Sequence, residues 1–510
     1  MKPWIAVAAC CLMAASLPAK PQMTSQINLP SLGAPAGSGE LSPADERKIG
    51  EQSMEEIRQS PYYLHDPDIH EYLMRLGYRL VAAAPVTPYS FQFFPMKLGE
   101  INAFALPGGF IAVFTGTLVA AQDESELAGV MAHEIAHVTQ RHIARMLENQ
   151  KGNVAASLGS FLLAILAASA GGNSGGDAAA AIMMGGQAAL ISNQLKFSRS
   201  AEQEADRIGF QIMVRANFDP NGMTRFFQRL LQRTGPYEAN ASAYLSDHPL
   251  TVERIADMEN RARELQRPFI RHDSFDFYLM QARALVLQSG SSAGRDSAKV
   301  QFQTVLSKKA TGVQAAVAHY GLSVVYALDG DAAQAYAEAQ KAVQMAGRND
   351  VFLQKNLLQT RYAMAADKKP VLKEIAALAN DNPLSVMLAK TYIEDLYEQG
   401  MHEEILKYLK GQSAISQDNA DYFRYLARSS EALGRRSEAF RATGKMYALQ
   451  GDWKMAAYQF KQAQRVSDGD FFTMSEVDAD FREAEELRHF ENDRLDLGGE
   501  YIDTTDNQHV

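Results

Sequence analysis

Residues 128–142, AGVMAHEIAHVTQRH, decide how this chain is read. Through Val138 the run is almost wholly apolar, the pattern of a buried helix, yet it carries His133, Glu134 and His137. Positions four apart lie on one helix face, so His133 and His137 can present two imidazoles to one metal ion, with Glu134 beside it. The competing reading is two histidines satisfied within an ordinary core helix.

A catalytic zinc takes three protein ligands and keeps a further position for water. One common pattern would put Gly at 140 and His at 143, but the chain has Gln140 and Ile143, and His142 is one position off. His142 therefore reads as an outer-layer or surface residue. The stretch SAEQEADRIGF, residues 200–210, offers a second helix with Glu202 and Asp206 four apart on one face. Glu202 is the candidate third ligand and Asp206 the group that orients a ligating imidazole.

The surrounding chain has 510 residues, 46% of them apolar, enough for two or three cores of ordinary size. Residues 1–19, MKPWIAVAACCLMAASLPA, have the layout of a secretory signal peptide. Acylation at the Cys of VAAC is a competing lipoprotein reading, weakened by the short apolar run before it. Both cysteines, Cys10 and Cys11, lie in this segment, so the mature chain would contain neither a disulfide nor a thiol nucleophile. Export without disulfides suits a bacterial periplasm. The formal charge of −10 becomes −11 once Lys2 leaves with the signal, and there is no basic block, which argues against nucleic acid as a partner.

Residues 20–41, rich in Pro, Ser and Gly, form a tether. Folding begins at Ser42, an N-cap followed by Pro43, and a second helix follows near residues 67–83. SFQFFPM at 90–96 and GFIAVFT at 109–115 read as strands. From Gly152 to Leu195 the only charged side chain is Asp177, and GGNSGG splits the stretch into pieces too short for good transmembrane helices. It is either a buried helical hairpin or lid, or a surface that touches membrane or greasy substrate. After residue 268 turn signals fall at Gly294, Gly330, Ala366-Asp367, Gly400 and Gly434, close to the 34-residue tetratricopeptide period. Residues 269–487 are therefore expected to stack into an all-α superhelix, to fold alone and to bind a partner, with 488–510 as an acidic tail. Residues 42–268 form the domain that carries the chemistry.

Four pieces, NAFALPGGFIAVFTG (102–116), HEIAH (133–137), EQEAD (202–206) and HPLTVER (248–254), resemble the integral-membrane and periplasmic zinc proteases that include HtpX and the CAAX prenyl endopeptidases. With a signal peptide and tetratricopeptide repeats, the architecture looks most like the β-barrel assembly-enhancing proteases. The resemblance implies a mainly α protein: a gluzincin-type α+β zinc metalloprotease domain followed by the repeat superhelix. It assigns His133, His137 and Glu202 to one zinc ion and Glu134 to the general base. It selects Glu202 over Glu204 as the Glu four before the Asp, and Glu204 would lie about 200° around the helix. It puts the His248-Pro249 segment and Arg254 at the active site, where His248 either stabilises the transition state or plugs zinc's fourth position. NAFALPGG becomes a cleft wall, an edge strand able to pair with an extended peptide, against the plain reading of an ordinary hairpin. Implied clients are unfolded or misassembled outer-membrane β-barrel proteins, with the repeats contacting their assembly machinery. The rival class is a repeat-based chaperone or adaptor whose metal merely holds helices together. Glu134 discriminates, because a structural site has no need of a carboxylate beside the first His.

Overall fold

The computed structural model describes residues 41–148, 197–233, 244–245, 248–265, 273–288, 290–411, 414–417 and 419–499. The signal segment and the apolar stretch 152–195 lie outside the described residues. Helix α1 (Pro43–Gln59) starts where expected: the Ser42 hydroxyl accepts from the Asp45 amide at 3.1 Å, and the Asp45 carboxylate accepts from the Ser42 amide in return. Helix α2 (Pro67–Val81) is capped by Asp66, whose carboxylate accepts from the Ile69 amide.

Three strands follow, β1 (Gln92–Met96), β2 (Ala103–Leu106) and β3 (Phe110–Phe114), in the order β1-β3-β2. β1 runs parallel to β3 and β2 antiparallel to it. Alternation sorts their side chains: Phe93, Ala103, Ala105, Ile111 and Val113 join a core with α2, while Phe94, Met96, Phe104, Phe110 and Phe114 pack on Met54 and Ile57 of α1. With both faces covered, the strands read as continuous apolar runs. NAFALPGG thus forms a hairpin arm, turning through Gly108 and Gly109 at positive φ, and that arm is also an edge strand of the sheet.

Beyond the sheet lie α3 (Thr115–Ala120), α4 (Glu124–Thr139), α5 (His142–Glu148), α6 (Arg199–Arg215), α7 (Asn221–Arg233) and α8 (Val252–Glu264). α4 holds HEIAH and is buried from Glu124 to Val138. It is crossed closely by α6 because Gly209 has no side chain: a Cβ there would stand 3.1 Å from the His133 amide nitrogen and 3.0 Å from the Met223 methyl. Among the described residues no helix is long and apolar enough to cross a membrane.

The remainder is helical: α9 (Phe275–Leu287), α10 (Ser292–Ser307), α11 (Gly312–Leu328), α12 (Ala332–Ala346), α13 (Val351–Met364), α14 (Lys369–Asp381), α15 (Val386–Glu398), α16 (His402–Gly411), α17 (Ala420–Ala432), α18 (Arg436–Leu449), α19 (Trp453–Val466) and α20 (Phe471–Gly499). Gly330, Gly400 and Gly434 turn between helices with φ of 81°, 68° and 76°, as their spacing predicts. Gly294 does not. It sits in the first turn of α10, its amide donating to the Ser291 cap, and the left-handed glycine before that helix is Gly290. α20 runs on through residue 488 to Gly499.

The core does not stop at residue 268. One apolar cluster runs from Leu64 through Met131 and Phe277 to Leu388. Acidic groups around the start of α2 grip the repeat region: Arg283 of α9 donates to Asp66 at 2.6–2.9 Å, Lys355 of α13 to Asp68 at 2.8 Å, and Ser385 and Met387 at the start of α15 to Glu71 at 2.7–2.9 Å. The expectation that residues 269–487 fold alone meets a continuous core and buried ion pairs that separation would break.

Candidate active site

Asp123 caps α4, accepting from the Glu126 amide at 2.8 Å, and the helix is fastened at that end. The Glu124 carboxylate accepts from the Tyr72 hydroxyl and from the amide and hydroxyl of Ser274, the N-cap of α9. Fourteen residues into this anchored rod, counting from Glu124, comes His137, and the same face carries His133.

The side chains foreseen on α4 and α6, together with His248, meet at one buried centre. His133, His137, Glu202 and His248 each offer an atom within 4.8 Å of the others. His137 Nε2 is 3.0 Å from His133 Nε2, which is 3.3 Å from His248 Nδ1; Glu202 Oε1 lies 3.0 Å from His248 Nδ1 and 3.4 Å from His137 Nε2. Ligand atoms about 2.0–2.1 Å from a tetrahedral centre stand roughly 3.3 Å apart, so this spacing suits zinc. Glu134 lies beside the cluster, its Oε1 3.5 Å from His248 Nε2.

Asp206, one turn beyond Glu202, faces His133 Nδ1 at 3.1 Å. Arg254 reaches in from α8, its Nε and Nη2 gripping Asp206 at 2.6 and 2.7 Å, while Nη1 meets Glu202 at 2.6 Å and the Pro249 carbonyl at 2.7 Å. The guanidinium thus ties the second helix to the His248-Pro249 segment. Its contacts are with protein carboxylates and the Pro249 carbonyl, which makes it a positioning group.

The electrostatics of the centre pair carboxylates with imidazoles and a guanidinium. Burial disfavours charge on every group here, but carboxylates and cations answer one another. Burial lowers the His133 imidazole, yet Asp206 and Glu202 outweigh it and push it up to about 9. Burial lowers His248 too, and Glu202 with Glu134 reverses the shift. His137, with burial dominant and cations beside it, falls well below its ordinary value. Glu202 and Asp206 are held low against burial, chiefly by His248 and Arg254 respectively. Three buried carboxylates, Glu134, Glu202 and Asp206, thus surround the cluster, answered by the Arg254 guanidinium and by the His133 and His248 imidazoles.

Two contributors escaped the sequence reading. Tyr244, one turn before His248 in AYLSDHP, stacks on that imidazole at 4.7 Å and 25°. Phe197 stacks on it at 5.5 Å and 28°, and also lies against His137. His142, read from the sequence as an outer-layer or surface residue, is buried beside His137, with Glu204 behind it. The i to i+4 spacing of Tyr244 and His248 was a visible signal; the place of Phe197 depends on how segments meet.

Residues 66–262 match the model of peptidase family M48. The chain is 32% identical over 460 residues to a putative β-barrel assembly-enhancing protease of Vibrio cholerae serotype O1, covering 89% of this chain and 92% of that one. It is 33% identical over 442 residues to the β-barrel assembly-enhancing protease of Escherichia coli strain K12, covering 83% and 84%. A mitochondrial metalloendopeptidase of Schizosaccharomyces pombe is 30% identical over 207 residues, 41% of this chain and 56% of its own. Similarity of this extent, carried through the helices behind the protease part as well as through the buried cluster itself, leaves one conclusion: the chain belongs to the M48 metallopeptidases, alongside the β-barrel assembly-enhancing proteases.

Proposed function

We propose that this chain is a periplasmic zinc endopeptidase and chaperone of outer-membrane β-barrel assembly, cleaving stalled or misassembled clients. The observation that carries the reading is Glu134, buried against a complete four-donor cluster that does not need it as a ligand. The names of the relatives support the biological setting. Residues 1–19 act as the signal, 20–41 as the tether, 42–268 as the protease, 269–487 as tetratricopeptide repeats that bind client and assembly machinery, and 488–510 as the tail.

His133, His137 and Glu202 would hold a zinc ion, which when bound would supply a Lewis acid and an acidified water. Glu134 would serve as the general base, taking a proton at its carboxylate and passing it to the leaving amine. Asp206 fixes the His133 ring through Nδ1, and Arg254 holds Asp206 and Glu202 in place. The edge strand β2 pairs with the client's extended backbone. His248 is the resting latch: its Nδ1 stands among the ligand atoms and its Nε2 faces Glu134, so the imidazole fills the space between ligand set and base.

The test incubates the full mature chain with an unfolded β-barrel protein, with and without a zinc chelator, beside Glu134→Gln. Cleavage should stop with chelator, and Glu134→Gln should fold and bind zinc but lose cleavage by about 10²-fold or more. Cleavage indifferent to the chelator, or retained at the wild-type rate in Glu134→Gln, overturns the reading.

A further inference from the structure

His137 needs a partner for its second ring nitrogen if Nε2 is to bind metal. A ligating imidazole is held in one tautomer by the acceptor on its other nitrogen, and losing that acceptor typically costs 10–100-fold in metal affinity. His133 has Asp206 in that place. For His137, among the described residues no carboxylate faces Nδ1; that atom is 3.0 Å from His142 Nδ1, and His142 Nε2 is 3.2 Å from Glu204 Oε2.

We infer that His142 and Glu204 form a relay that positions His137 for zinc, built by the left-handed residue Arg141; this rests on the zinc reading proposed above. The tautomers close in one way only. His137, ligating through Nε2, carries its proton on Nδ1 and donates to His142 Nδ1. His142 therefore carries its own proton on Nε2 and donates to the Glu204 carboxylate. Each hydrogen bond has one donor and one acceptor, and both imidazoles stay neutral.

A second observation supports a built feature. On an uninterrupted helix His142 would lie about 140° around from His137, off its face. α4 instead ends at Thr139, and Arg141 takes φ of 55°, a conformation that disfavours side chains with a Cβ. That residue reverses the path so that α5 begins at His142 with the imidazole turned back on His137. The conformation is held from outside: Arg141 Nε donates to buried Glu46 at 2.8 Å, Glu46 accepts from the Tyr89 hydroxyl at 2.7 Å, and Arg141 also donates to the Leu41 carbonyl. Strain retained at the end of a catalytic helix and held by an ion pair to buried Glu46 marks a position the fold over-determines. Glu204 ends the relay at the protein surface, 34% exposed, on the wall of a polar cavity of about 530 Å³ that also touches Asp206 and Arg254.

The experiment measures zinc affinity of the full chain by competition with a chromogenic chelator, zinc alone being the probe, beside the thermal stability of the metal-free protein. His142→Phe keeps the ring and removes the acceptor; zinc should bind about 10–100-fold more weakly. His142→Gln, whose amide oxygen can accept from His137 Nδ1, should recover part of the loss, which a purely structural role would not allow. Glu204→Gln, at a half-buried surface position that does not endanger folding, should weaken binding in the same direction by a smaller factor. Wild-type affinity in His142→Phe, or no recovery in His142→Gln at equal metal-free stability, overturns the relay while leaving the protease reading intact. A wild-type chain that binds no zinc would instead sink the protease reading first.

Discussion

Replacing Arg254 by Met keeps most of the side chain's volume and removes the guanidinium that answers two buried carboxylates. Arg254 is 2% exposed; it makes two bonds to Asp206, at 2.6 and 2.7 Å, and meets Glu202 at 2.6 Å. Taking one partner from a buried ion pair leaves an uncompensated charge and costs about 3–5 kcal/mol. In urea, at an m-value of roughly 3 kcal/mol/M, that lowers the unfolding midpoint by about 1–2 M. The sign with pH is fixed by the carboxylates. Asp206 and Glu202 lie below their ordinary 3.8 and 4.5 in the folded protein, so their stabilisation is present above about pH 4.5 and fades as pH falls through the depressed folded values. The wild type should therefore exceed Arg254→Met fully at pH 7 and by less at pH 3.5. The assay is urea unfolding of the chelated protein followed by circular dichroism at both pH values. An unchanged midpoint at pH 7, or a difference that grows on acidification, refutes the argument that Arg254 acts as the buried counter-charge.

His248→Ala should raise basal cleavage of an unstructured peptide severalfold if the imidazole is a latch; a fall in turnover at unchanged zinc content would identify it instead as a transition-state donor. Lys355→Met strands part of the Asp68 charge, which Arg283 still meets at 3.0 Å, so the cost should be about 1–3 kcal/mol. Because Asp68 belongs to the protease part and Lys355 to the repeats, loss of secondary structure and loss of the metal centre should shift together in one transition; two resolved transitions, only one of them shifted, would mean that the regions unfold independently.

What the sequence determined by itself is whatever local spacing encodes. The four-residue interval puts His133 with His137 and Glu202 with Asp206 on single helix faces in any fold, because helix geometry depends only on the local backbone. Ser42 with Pro43 signals a helix start for the same reason, and FQFFPM and FIAVF are strand formers wherever they pack. Gly294 marks the limit of such reasoning: a glycine flags conformational freedom, but whether it turns at positive φ or enters a helix is set by its neighbours, here the Ser291 cap. Tertiary structure decided the rest. His248 and Arg254 lie more than forty residues beyond Glu202 and join it through buried charge pairing that no periodicity records. His142 looked one position out of register until the left-handed Arg141 returned it to His137. The boundary near residue 268 follows composition, whereas the core follows contact area, and the apolar surface of α2 and α9 is buried only when the two regions share one interior.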